Sequence, residues 1–245
     1  MAKLGGQPHW LGEPFWPVSV TFGTPMVFIG QFPLPTLAMH AATGTPETTT
    51  PATEQAMAAE SAPWTATGQV PAAAQGPVTV QKTATGQTPA TPQESTTGAG
   101  TAMAYLFIAD DPDGTGLTME PEEGDNLLLV QPDGRVPGFV RGLPLRTGPS
   151  LWRRGERWTD RVPVELRVTA TGSVDEDWFS WAGGRPRGWQ SDFVELLDGR
   201  WRFFFQIDGA EGIGGDAYAL NFGGGTGYAF LSADEREGRF FWDCV

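Results

Sequence analysis

Apolar residues in this chain gather in short, dense runs and seldom recur at helical spacing. VSVTF (18–22), MVFIGQF (26–32), MAYLFI (103–108) and NLLLVQ (126–131) are rich in β-branched, aliphatic and aromatic side chains. So are VPVELRV (162–168), WRFFFQI (201–207), AYALNF (217–222), GYAFLS (227–232) and RFFWDC (239–244). Asp-Gly, Gly-Gly and Pro-Asp-Gly turn signals separate these runs, which predicts a strand at each. A short helix is expected at about 173–181, where Asp175, Glu176 and Asp177 would fill a first turn that favours negative charge.

Residues 41–100 break the pattern. They are dominated by Ala, Thr, Gly, Pro, Gln and Ser, with no Arg, no Asp, one Lys and Trp64 as the single aromatic residue. The pentapeptide TATGQ occurs twice within them, at 65–69 and 83–87. A stretch of this composition buries too little apolar surface to offset the entropy of ordering it. It is read as a disordered low-complexity loop inserted into the domain.

The remainder is internally repetitive. GGQPHW (5–10) returns as GGRPRGW (183–189), and each copy leads into an aromatic strand with a glutamine, Gln31 in FIGQF and Gln206 in FFFQI. A further strand and acidic turn follow each, AYLFIADDPDG (104–114) and YAFLSADEREG (228–238). The turn-to-glutamine spacing is similar in the two halves. The next interval is longer in the first half, by about the length of the low-complexity block. These landmarks predict a mainly β, roll- or sandwich-like single domain of two pseudo-repeated halves with a few short helices. It comprises 1–40 and 101–245, with one half at 3–40 plus 101–145 and the other at 181–245.

The KLGGQPHW opening, MVFIGQF, MAYLFIADDPDG and GYAFLSADEREGRFFWDC together resemble the YwqG-like family of bacterial proteins, a domain of unknown function. The resemblance spans nearly all of the chain outside the insertion. It implies a mainly β, roll-like fold with internal pseudo-duplication and no established reaction. It also implies a partner-binding role such as toxin immunity.

Composition narrows the function classes. Ten Trp and fifteen Phe against three Tyr indicate extensive buried aromatic surface. A formal charge of −13 repels a phosphate backbone, so nucleic acid is not an expected partner, whereas a basic protein is. The lone cysteine, Cys244, excludes an intrachain disulfide and fits a reducing compartment. With no apolar signal segment and no membrane-length apolar run, the chain reads as cytoplasmic and without a membrane association.

Catalytic and cofactor chemistry finds few carriers. His9 and His40 are the only imidazoles, and with one cysteine they do not assemble a standard zinc site. Cys244, next to the last residue, has little around it to lower its pKa. NFGGGTGYAF (221–230) precedes a strand rather than a helix, and Pro8 removes an amide from the GGxP turn, so neither reads as a phosphate cradle. Asp111, Asp113 and Glu120 match calcium-loop positions, but Ala109 holds the first one and a strand precedes it, so an acidic turn is the favoured reading. No cofactor is expected.

Binding residues are easier to nominate. Gln31 and Gln206 sit in apolar strands and need partners. Either each ties its strand to its own GGxP turn, or both face a shared cleft. Trp152 and Trp158 in SLWRRGERW, Trp178 and Trp181 in DEDWFSW, and Trp10, Trp16 and Trp189 are the candidate interface anchors. The expected function is non-enzymatic binding of a protein partner, in an immunity or assembly role. A small-molecule or carbohydrate module with an aromatic cleft, and an assembly component acting through the inserted loop, are the alternatives.

Overall fold

Every residue of MAYLFI is buried, and its side chains alternate between two cores. Ala104, Leu106 and Ile108 enter one, and Met103, Tyr105 and Phe107 the other, as the two-residue period of a strand demands. A run with no polar alternation is a strand covered on both faces.

The computed structural model describes residues 1–34, 76–81, 102–111, 119–157, 160–170, 181–182, 186, 200–208 and 225–243. Among them the fold is mainly β and contains no helix, so none is long and apolar enough to cross a membrane. The strands are β1 (Lys3–Gly5), β2 (Trp16–Val18), β3 (Val27–Pro33), β4 (Gly76–Gln81), β5 (Met103–Ile108), β6 (Asn126–Gln131) and β7 (Arg141–Leu143). They continue with β8 (Trp152–Arg154), β9 (Arg161–Pro163), β10 (Glu165–Ala170), β11 (Trp181–Ala182), β12 (Trp201–Asp208), β13 (Thr226–Ser232) and β14 (Gly238–Asp243). Ten of these form one antiparallel sheet in the order β14-β13-β12-β11-β4-β10-β1-β3-β5-β6. The pairs β2–β7 and β8–β9 are separate two-stranded ribbons.

The meanders β3-β5-β6 and β12-β13-β14 share one pairing pattern. In β3 the register to β5 slips between Phe28 and Gly30, and in β12 the register to β13 slips between Phe203 and Phe205. Beyond each bulge, Gln31 faces Tyr105 and Gln206 faces Tyr228. The extra residue matters because it changes the parity of the strand. Strict alternation from Val27, which points inward, would send Gln31 into the inner core. The bulge puts it on the outer face beside Tyr105.

The two meanders meet across the inner core. Ile29, Phe32, Leu106 and Leu128 share a cluster with Phe204, Ile207, Leu231 and Trp242, and the Phe32 and Phe205 rings lie 4.2 Å apart. The two ends of the sheet also come together, so closely that a Cβ on Gly238 of β14 would stand 2.4 Å from the Leu128 carbonyl oxygen of β6. Along this seam Arg135 forks onto Asp234 (2.5 and 3.0 Å), which holds that carboxyl well below the usual carboxylate range. Buried Arg239 reaches Glu122 and Glu237 (2.7 and 2.8 Å), and its guanidinium lies over the Phe139 and Trp201 rings. Cations of this kind close an aromatic seam by charge and ring contact at once.

Several elements differ from the sequence expectation. VSVTF ends as a strand at Val18, because buried Asp125 accepts hydrogen bonds from the Ser19 hydroxyl (2.5 Å) and from the Thr21 amide and hydroxyl (3.1 and 2.5 Å). This carboxylate organises 19–24 as a turn. VPVELRV is divided between β9 and β10 at Val164, whose amide donates to Leu151 and whose carbonyl accepts from Gly6. Within the low-complexity block, GPVTVQ enters the sheet as β4 between β11 and β10. Its Val-Thr-Val alternation suits a strand, and a compositional average over sixty residues conceals it. The predicted helix lies outside the described residues except for Trp181, which belongs to β11. AYALNF, His40 and Cys244 also lie outside them.

Candidate functional site

The GGQPHW segment leaves β1 through two successive left-handed residues, Gly5 (φ 69°) and Gly6 (φ 64°), a conformation that glycine adopts without the side-chain penalty. The Gly6 amide donates to the Val164 carbonyl (2.8 Å). Gln7 then makes a two-way bond with the backbone of Gly148, donating from Nε2 to its carbonyl and accepting its amide at Oε1, both at 3.0 Å. From there the chain crosses the outer face of β3-β5-β6.

Three polar side chains on those strands receive it. Gln31 Oε1 accepts the His9 amide (2.9 Å), and its Nε2 donates to the Met1 carbonyl (3.3 Å). The Tyr105 hydroxyl donates to the His9 carbonyl (2.6 Å) and accepts the Leu11 amide (3.1 Å). Gln131 Oε1 accepts the Gly12 amide (3.1 Å), and its Nε2 donates to the Glu13 carbonyl (2.8 Å). A loop with no secondary-structure partner is thereby held at consecutive backbone groups, which answers the requirement that buried amides and carbonyls be paired. Gln31 acts as the tie between its strand and its own GGxP turn.

Aromatic packing completes the anchoring. Partly buried Trp10 lies over Phe107 (6.1 Å, 14° between planes) and Tyr105 (5.2 Å), and its Nε1 donates to the Arg146 carbonyl (3.0 Å). Trp16 is fully buried and donates from Nε1 to the Met26 carbonyl (2.8 Å). It is therefore a core residue and offers no surface to a partner, which removes it from the candidate anchors.

Burial pushes the phenols of Tyr105 and Tyr228 up to about 12 from 10.0, helped at Tyr228 by the negative charge of nearby Asp243. The native state thus holds these protons more tightly than the unfolded chain does. Their contribution to stability is complete below pH 10 and is lost as the pH rises through 12. Tyr105→Phe leaves the His9 carbonyl and the Leu11 amide without a partner, which costs about 1–3 kcal/mol. Its unfolding midpoint in urea should fall at neutral pH, and its stability should decline less between pH 10 and 12 than that of the wild type. An unchanged alkaline profile would mean that Tyr105 does not carry this dependence.

Around the strapped loop lies an exposed rim. Residues 141–147 are exposed throughout, and they present Leu143 (41 %) and Leu145 (39 %) between Arg141 and Arg146. Leu11 and His9 are exposed on the loop itself. The chain then runs beside β3, where Phe28 bonds to the backbone of Pro149 and Leu151. It emerges as the β8–β9 ribbon, in which all of β9 is exposed, Val162 included. The Arg161 guanidinium sits 4.5 Å from the centre of the Trp152 ring and pairs with Asp110.

The structure thus brings Trp10, Gln31 and the root of the Trp152 ribbon to one region. Gln206 is buried in the other meander, where Gln206, Tyr228 and Asp243 occupy the places of Gln31, Tyr105 and Gln131. Trp181 pairs in register with Gln206 through its backbone. Trp158, Trp178 and Trp189 lie outside the described residues, as does Asp113 of the calcium-loop match. Asp111 is buried, Glu120 is exposed with its carbonyl accepting from Asn126, and the described residues hold no group of three potential metal ligands. Gln131 and Tyr105 were not singled out by sequence, although a glutamine closing an apolar strand in NLLLVQ repeats the signature of FIGQF.

No family model, curated protein or solved structure matches this chain.

Proposed function

We propose that this chain is a non-enzymatic binding protein that holds a protein partner on the rim formed by His9–Leu11, residues 141–147 and the β8–β9 ribbon. One observation carries the reading. Trp, Arg and exposed aliphatic residues converge there on a backbone pinned by Gln7, Gln31, Tyr105 and Gln131. Interfaces draw their energy from such aromatic and arginine anchors, and a pre-ordered surface loses less entropy on binding. Isolated exposed aliphatics are ordinary. Leu11, Leu143, Leu145 and Val162 exposed beside Trp10 and Trp152 are a more specific combination. The similarity to the YwqG-like family, and with it a toxin-neutralising role, belongs to the same proposal. The duplicated bulge with its glutamine–tyrosine pair supports it.

Affinity capture at physiological ionic strength tests the reading. Wild-type chain should retain a stoichiometric protein partner, and Val162→Asp or Leu143→Asp should release it while the protein keeps its melting temperature. Equal retention by both variants would move the interface elsewhere, and the absence of any stoichiometric protein partner would overturn the proposal.

A further inference from the structure

Resting on that reading, we infer that the partner's docking segment is acidic, although the chain itself carries −13. The overall charge and the charge of this surface have opposite signs. Half of the sixteen Lys and Arg residues fall within 135–167, all of them Arg, against three carboxylates there, Glu156, Asp160 and Glu165. Two of these three carboxylates are engaged locally. Glu165 pairs with Lys3 (3.2 Å), and Asp160 accepts the Arg157 amide (3.1 Å) in the ribbon turn. Arg135 and Arg161 have their own acidic partners. Arg141, Arg146, Arg153, Arg157 and Arg167 make no ion pair with a described residue.

Chain path groups four of these five around the strapped loop, and Arg141 lies opposite Val18 on the β2–β7 ribbon. Arg146 holds Trp10 through its carbonyl, and Arg167 stands opposite Lys3, two residues before Gly5. Arg153 and Arg157 lie on the ribbon rooted at Leu151 and Val164, which contact Gly5 and Gly6. Leu143, Leu145, Val162 and Trp10 sit among them. Apolar side chains interspersed with guanidinium groups that have no described carboxylate partner fit an acidic protein segment that carries its own apolar anchors. They fit a phosphate backbone less well, since that form of binding depends on many cations and on counterion release.

The opposed signs have a measurable consequence. At about 0.01 M salt the screening length is ~30 Å, so an acidic ligand is repelled by the whole molecule; at about 0.1 M it is ~10 Å and the local arginines dominate; at 1 M it is ~3 Å and they too are screened. Affinity for an acidic ligand therefore passes through a maximum with ionic strength, whereas affinity for a basic ligand falls throughout.

A fluorescein-labelled glutamate oligomer, titrated into the full chain by anisotropy across this salt range, tests the inference. Binding should peak at intermediate salt and drop by about tenfold or more in Arg153→Glu/Arg157→Glu, where like charges now face the ligand. Arg141→Glu/Arg146→Glu is a second variant on a separate element, and unchanged melting temperatures show that each is folded. Binding absent at every ionic strength, insensitive to both double variants, or weaker than binding of duplex DNA would overturn the inference. If glutamate fails while Val162→Asp still releases a captured protein, the partner is not acidic and the binding surface stands. If both fail, the functional reading falls as well.

Discussion

Trp16→Ala is expected to lower stability by about 3–5 kcal/mol, the range for deleting a buried large aromatic side chain. Trp16 has no exposed surface, and its ring meets Phe107 edge-on at 5.3 Å and Trp10 at 6.2 Å. A Cβ on Gly148 would stand 2.7 Å from it, so the neighbouring backbone is moulded to the indole. The substitution removes this contact and leaves the buried Met26 carbonyl without its indole donor. Urea denaturation followed by circular dichroism should show a large fall in the midpoint. Trp10→Ala, at a partly buried position, should show a smaller one. Equal losses would mean that the outer core is not organised around Trp16.

Gly5→Ala is expected to be nearly as damaging, for a different reason. At φ 69° a non-glycine residue pays roughly 1–2 kcal/mol in backbone strain. A Cβ there would also lie 2.0 Å from the Val164 carbonyl oxygen, and that backbone is fixed between β9 and β10. Gly6 supplies the control. Its φ of 64° is similar, but its Cβ would meet the end of the Glu165 side chain, which can swing away. Gly6→Ala should therefore show only the backbone strain, and Gly5→Ala substantially more. Hydrogen exchange reads the consequence directly. The His9 and Leu11 amides, bonded to Gln31 and Tyr105, should lose protection in Gly5→Ala and keep most of it in Gly6→Ala. Equal behaviour of the two variants would show that Val164 yields, and that the loop is not set by this close approach.

The second prediction concerns the opening segment, whose meaning changes between sequence and structure. As sequence, GGQPHW is one of two copies of a turn, and its glycines, proline and tryptophan have no assigned partners. In the fold it is a strap. The amides and carbonyls from His9 to Glu13 are received by Gln31, Tyr105 and Gln131, on three adjacent strands. Gln31 was legible as a polar residue needing a partner because its neighbours are apolar. Tyr105 and Gln131 were less so, since a tyrosine in MAYLFI reads as core, and it is core apart from its hydroxyl.

Charge shows a similar division. The sequence total of −13 predicts a basic partner, and it does so by averaging over the surface. Five arginines within 141–167 lack a described carboxylate partner, and the acidic partner proposed for the surface beside the strap rests on them and not on the total.

The sequence by itself determined the strands of the two meanders and the order of their landmarks, because runs buried on both faces must be continuously apolar and turns must carry Gly, Asn or Asp. It did not determine on which face a given side chain would emerge. One extra residue at Ile29 and one at Phe204 invert the parity of their strands, and a bulge is a property of two paired strands, not of either run alone. Nor did it reveal β4, whose pairing with β10 and β11 comes from segments distant in the chain. Local composition specifies which residues are buried. Only pairing in three dimensions decided which of them face the strap, and which cations stand beside it without a described carboxylate partner.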